Sequence, residues 1–164
     1  TEAGNLNHLI RISIDANRLY EQAAEEADDA ELQAQLRSIF AARKIFAAML
    51  QTRVAMLGAT PAETGEATGT IHRAFTALRG LVQNDSVTAA AEVYRGEAYI
   101  IDELDKALKK ALSAQSKGLL QAELARVRAQ RNQVELLKSR IETRLMDEAA
   151  REDARRQASR SDPN

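Results

Sequence analysis

The chain has 164 residues, of which 45% are hydrophobic and 29% charged, with 23 Lys and Arg set against 24 Asp and Glu. That length and apolar content suit one globular domain with a real core, and the near-cancelling charge argues against nucleic-acid and anionic-membrane partners. With no cysteine there can be no disulfide, thiolate metal site or cysteine catalysis, and no apolar run approaches the roughly 20 residues of a membrane span. The N-terminus also lacks the charged-then-apolar order of a signal peptide, so the expected location is cytoplasmic.

Two prolines, seven glycines, abundant alanine and no period-two alternation predict an all-α chain. A first helix is expected from about Asn5 to Ala27, with Leu6, Leu9/Ile10, Ser13, Ala16/Asn17, Tyr20 and Ala23/Ala24 on one face. Asp28 and Asp29 supply an N-cap, and Asp28 with Glu31 has capping-box spacing. The second helix then runs from about Ala30 to Leu57, with Leu32, Leu36, Ile39/Phe40, Phe46, Leu50, Val54 and Leu57 as its stripe. Gly58 is placed to terminate it, and ATPAETGEATGT is a loop.

A short amphipathic helix is expected over IHRAFTALRGLV, and Asn84-Asp85-Ser86 opens a third long helix whose stripe is Val87, Ala91, Tyr94, Glu97/Ala98, Ile101, Leu104 and Leu108. SAQSKG, from Ser113 to Gly118, reads as the last turn. A final helix from about Leu119 into the 150s carries Leu120, Leu124, Val127, Arg131, Val134, Lys138, Ile141 and Leu145 inward. The domain is thus expected over residues 1–150, with 151–164 a polar helix end fraying into a disordered tail.

The very short first connection makes helices one and two antiparallel neighbours, and helices three and four are paired likewise. Between the pairs lie about thirty residues, enough to cross the body, which is the connectivity of a ferritin-like four-helix bundle. The segments LIRISIDANRLYEQAAEEADDAELQAQL, RKIFAAMLQ, IHRAF and YRGEAYIIDELDKALKK, in that order, resemble a bacterial family of ferritin-like four-helix proteins without an assigned function. The resemblance spans about Asn5 to Arg144 and implies the bundle fold and a distant kinship with diiron carboxylate proteins.

A di-iron bundle takes a Glu from each of two helices and a Glu-x-x-His from each of the other two. Glu-x-x-His is absent here, and the residues three before His8 and His72 are Asn5 and Gly69. The inward pairs three apart are Arg43 and Phe46 in helix two, and Arg128 and Arg131 in helix four, while helix three keeps one inward carboxylate, Glu97. Arg43, Glu97 and Arg131 each interrupt an apolar stripe near mid-helix, so they are expected to converge as a charge-paired cluster at the place of the ancestral metal site. The other outcome is that one or both arginines snorkel to the surface along their stems.

His8 is expected to face solvent at a helix start, with a surface or intersubunit ligand role as its alternative; His72 should pack or cap, and Tyr20, Tyr94 and Tyr99 should be packing residues. The basic residues of helix four, among them Arg126, Arg128 and Lys138, are interspersed with Glu123, Glu135 and Glu142 and read as a solvated, salt-bridged face. No phosphate loop or nucleophile triad is recognisable. The function expected is a non-enzymatic helical protein without cofactor whose bundle serves assembly or the binding of a protein partner, forming a homodimer or larger assembly through Leu137, Ile141, Leu145 and Met146 at the end of helix four. The alternative is a metal-dependent oxidase or iron-storage protein using Glu21, Glu25, Glu97 and Asp102.

Overall fold

The structure, a computed structural model, describes residues 1–67, 69–81 and 85–162. Among the described residues it holds five helices: α1 Glu2–Glu26, α2 Ala30–Met56, α3 Gly69–Arg79, α4 Ser86–Leu108 and α5 Ala114–Arg160. There is no strand among the described residues. None of these helices is long and apolar enough to cross a membrane. Asn84, expected in the opening of the third long helix, and Val82, at the end of the expected short helix, lie outside the described residues.

Helix boundaries follow the capping chemistry. Thr1 Oγ1 accepts the Gly4 N–H at 3.0 Å, so α1 begins earlier than Asn5. Asp29 alone caps α2, accepting from the Leu32 N–H at 2.9 Å. The Asp28–Glu31 capping box does not form, because Asp28 faces α4. Its carboxylate accepts from Ser86 Oγ at 2.5 Å, while the Asp28 and Asp29 N–H groups donate to that same oxygen. At the far end of α2, the N–H groups of Gly58 and Ala59 donate to the carbonyls of Ala55 and Val54, with Gly58 at φ +79°. This six-residue closure needs a left-handed residue, which glycine adopts without Cβ strain. Ser113, expected within a turn, is the N-cap of α5, with its Oγ accepting from the Ser116 N–H, so α5 starts at Ala114.

The three-residue corner between α1 and α2 folds α2 back along α1, and α5 folds back along α4 in the same way; α1 also packs on α4, and α2 on α5. α3 closes over α1 and α4 with Ile71, Ala74 and Leu78. One core runs through all five elements, from Leu6, Ile10 and Leu19 through Leu36, Leu50, Leu78 and Leu104 to Leu120 and Val134. The loop before α3 is laid against α1, where the Asp15 carboxylate accepts the N–H groups of Glu66 (2.9 Å) and Ala67 (3.3 Å).

α5 has 47 residues against 23 in α4, so at 1.5 Å per residue it is about 70 Å long beside about 35 Å. Beside the start of α2, Arg140 meets Glu31 and Arg144 meets Asp29, and beyond that level every side chain from Leu145 to Asp162 is exposed. The charged segment from Arg151 is helical as far as Arg160, with an Arg156–Glu152 pair of i,i+4 spacing on its surface.

Candidate functional site

Arg43 lies between Ile39 and Phe46 on the buried face of α2, Glu97 between Val93 and Ile100 on α4, and Glu123 between Leu120 and Val127 on α5. The surrounding apolar residues fix these faces inward, and all three charged side chains are 0% exposed. Arg43 donates from Nη2 to Glu97 Oε2 at 3.1 Å and to Gln130 Oε1 at 2.6 Å, and from Nη1 to Glu123 Oε1. Arg126, half exposed on α5, donates to the second Glu123 oxygen at 2.7 Å. One planar fork thus joins three helices, a geometry a lysine ammonium does not reproduce.

Burial pushes the Glu97 carboxyl above its ordinary range, with Arg43 pulling the other way. Glu123 is raised for the same reason, opposed by Arg43 and Arg126. Desolvation works against the Arg43 charge, but the surrounding Tyr20, Glu97 and Glu123 outweigh it and hold the guanidinium protonated. Tyr20, fully buried on α1, is raised by burial and by Glu97. Its hydroxyl lies beside Glu97 and Arg43 but has no aligned hydrogen bond. Five buried atoms share that condition among the described residues: Asn17 Oδ1, Tyr20 Oη, Arg43 Nε, Glu97 Oε1 and Arg131 Nε.

Of the three residues expected to converge, the structure brings Arg43 and Glu97 together and leaves Arg131 out of their ion pairs. The Arg131 guanidinium lies over the Tyr94 ring, 5.4 Å from its centroid. Gln130, one residue earlier and therefore about 100° around the helix, faces Arg43 instead. Arg128, expected to point inward, is exposed and meets Asp105 at 3.5 Å. Glu123, read from the sequence as a solvated residue, supplies the second carboxylate. The signal was its place three after Leu120 and four before Val127, which puts it on the buried stripe.

The expected association residues divide. Leu137 and Ile141 are buried in the chain's own core, whereas Leu145 and Met146, together with Leu136, are exposed. A groove of about 460 Å³ follows α5 past Leu136, Arg140, Thr143 and Asp147. The alternative metal ligands are scattered. Glu21 and Glu25 line an outer groove between α1 and α2 and Asp102 is exposed beside Lys106, while Glu97 is buried. Among the described residues, no three His, Asp or Glu side chains gather to hold a metal ion. His8 bridges the loop to α4, with Nε2 2.8 Å from Glu103 and Nδ1 3.3 Å from Glu66, and His72 is exposed on α3.

Residues 2–110 match the family described as a domain of unknown function (DUF2383), and the chain belongs to that family. The matched stretch contains α1 to α4 with Arg43 and Glu97; α5, with Glu123, lies beyond it. No curated protein and no solved structure matches the chain.

Proposed function

We propose that this DUF2383 protein is a ferritin-like helical bundle serving as a non-enzymatic assembly or protein-binding module, which self-associates through the free end of α5. The observation that carries this reading is the overhang itself. α5 outruns the rest of the body, and Leu136, Leu145 and Met146 are left uncovered along it. A helix that lacks a packed partner draws its stability from docking an apolar side on another surface.

The pairing of α1 with α2 and of α4 with α5, joined by a long connection, supports the ferritin-like assignment. The Arg43 guanidinium among Glu97 and Glu123 supports a lost metal site: a covalently tethered cation meets the two carboxylates where a bundle of that kind would place metal. Sedimentation equilibrium tests assembly, and a monomer at high micromolar concentration overturns it. Elemental analysis after growth with iron and manganese tests the lost site, and stoichiometric metal overturns that half of the reading.

A further inference from the structure

The second half of α2 is apolar on two sides. Inward it presents Phe46, Leu50 and Val54; outward it presents Ile45, Ala48, Met49, Thr52, Ala55 and Met56, at the three- and four-residue steps of a second stripe. From Ile45 to Leu57 the sole charged residue is Arg53, and its guanidinium is turned to one edge, donating to Ser113, Gln115 and Ser116 at the start of α5. Lys44 leans to the other edge, over the Phe40 ring. Seven large hydrophobic side chains are exposed among the described residues, and four lie here: Ile45 (63%), Met49 (44%), Met56 (66%) and Leu57 (36%). Together they leave on the order of 400 Å² of contiguous apolar surface, a size that marks an interaction site. Since α2 and α5 run antiparallel, this face lies at the far end of the body from the α5 overhang.

We infer that the outer face of α2 is the contact for a second copy of this chain, packed antiparallel across a two-fold axis between Ala48 and Met49. In that register each large side chain opposes a small one. Ile45 faces Thr52 of the second copy, Met49 faces Ala48 and Met56 faces the exposed Ala41, and every pair recurs in reverse. A groove of about 240 Å³ between Met49, Thr52, Met56 and Leu119 is open to receive the Ile45 side chain. Like edges meet in an antiparallel pair, so Lys44 is not set against Arg53. Each lies about 14 Å along the helix from its own copy, beyond the screening length of about 8 Å at physiological salt. Area also favours a second copy. The patch taken twice is about 800 Å², and Ala48, Thr52, Ala55 and Leu119 carry the contact toward the roughly 1,200 Å² at which stable interfaces begin.

This contact goes beyond the assembly reading, since it uses a surface other than the free end of α5. The chain has no cysteine, so a single introduced thiol reports its own neighbours. Ala48→Cys, beside the axis, should form an intermolecular disulfide under mild oxidant, and Arg95→Cys, exposed on α4, should not. The double change Ile45→Glu, Met49→Glu should weaken self-association at least about tenfold in sedimentation equilibrium, by burying unpaired carboxylates, with the parent's circular dichroism retained. Leu145→Glu, Met146→Glu should leave the Ala48→Cys cross-link in place, so failure here and failure at the α5 end are read from different variants. An Ala48→Cys chain that does not cross-link, or association that Ile45→Glu, Met49→Glu leaves intact, overturns the proposal. Flotation of the parent with phosphatidylcholine vesicles, abolished by the same double change, would assign the face to a lipid surface and overturn it equally.

Discussion

The Arg43 guanidinium of α2 meets the Glu97 carboxylate of α4 at 3.1 Å with both side chains sealed from solvent. Since Glu123 holds the other arm of the same guanidinium, the one positive charge satisfies two buried negative ones. Replacing Arg43 with Met therefore strands both carboxylates, at a cost of about 3 to 5 kcal/mol near neutral pH. The loss should shrink in acid, where the carboxylates protonate. Exchanging all three residues for apolar ones of similar volume should be close to neutral. Urea denaturation at two pH values checks this, and an unchanged midpoint for Arg43→Met would mean that the fork is not formed.

The pH dependence should carry two opposed signatures. Glu97 and Glu123 are raised above the ordinary value of 4.5, so their favourable contribution is complete below about 4.5 and is lost as pH rises through the raised folded values. Glu2 is the reverse. Hydrogen bonds from Ser116 and Ser113 lower it from 4.5 to about 2, so its contribution is present above 4.5 and is lost as pH falls toward 2. Thermal melts of Glu97→Gln should lack part of the decline above 4.5, and those of Glu2→Gln part of the decline below it. Parallel curves for parent and variants would contradict these assignments.

The loop before α3 should depend on Gly65. A Cβ there would sit 1.8 Å from Asp15 Oδ1, the carboxylate that holds the loop's backbone N–H groups. Gly65→Ala should release the loop at a cost of about 1.5 to 3 kcal/mol, the range for a hydrogen bond to a charged group. Asp15→Ala should have a similar effect, and the two should not add. Limited proteolysis within residues 59–67 reads the release, with equal cleavage of parent and variants as the contrary result.

Core and overhang on α5 should separate cleanly. Leu137→Ala should destabilise the fold by about 2 to 5 kcal/mol, as a large-to-small change in a core. The double change Leu145→Glu, Met146→Glu should leave the unfolding of the protomer within about 0.5 kcal/mol and weaken self-association. Sedimentation and denaturation together decide, and an unaltered association constant would move the contact off this end of α5.

The spacing of three and four residues made the long helices legible, and Gly58 marked a helix end because only a left-handed closure fits there. Arg43 and Glu97 were legible because each lay inside an apolar stripe. Glu123 was not, since α5 carries charges of both signs around its circumference and Leu124 beside it explains the stripe equally well. Arg131 and Gln130 are neighbours, and periodicity alone does not fix helix rotation to one residue. The limit of the core on α5 is set by a distant element: Asp29 and Glu31, at the start of α2, meet Arg144 and Arg140, so Leu137 and Ile141 fall within the body. Nothing local to those leucine and isoleucine positions records where α2 begins.

The uninterrupted length of α5 makes it a lever as well as a surface. Glu123 and Arg160 belong to one helix with no proline and no break between them, separated by about 55 Å at 1.5 Å per residue. A partner that tilts or twists the free end applies torque to the same rod that carries a carboxylate of the ion cluster. Glu123 cannot shift alone, because the guanidinium it holds is also held by Glu97 on α4. Load at the tip is met first by Arg144 on Asp29 and Arg140 on Glu31, and then by the packed Ile141 and Leu137, before it reaches the cluster.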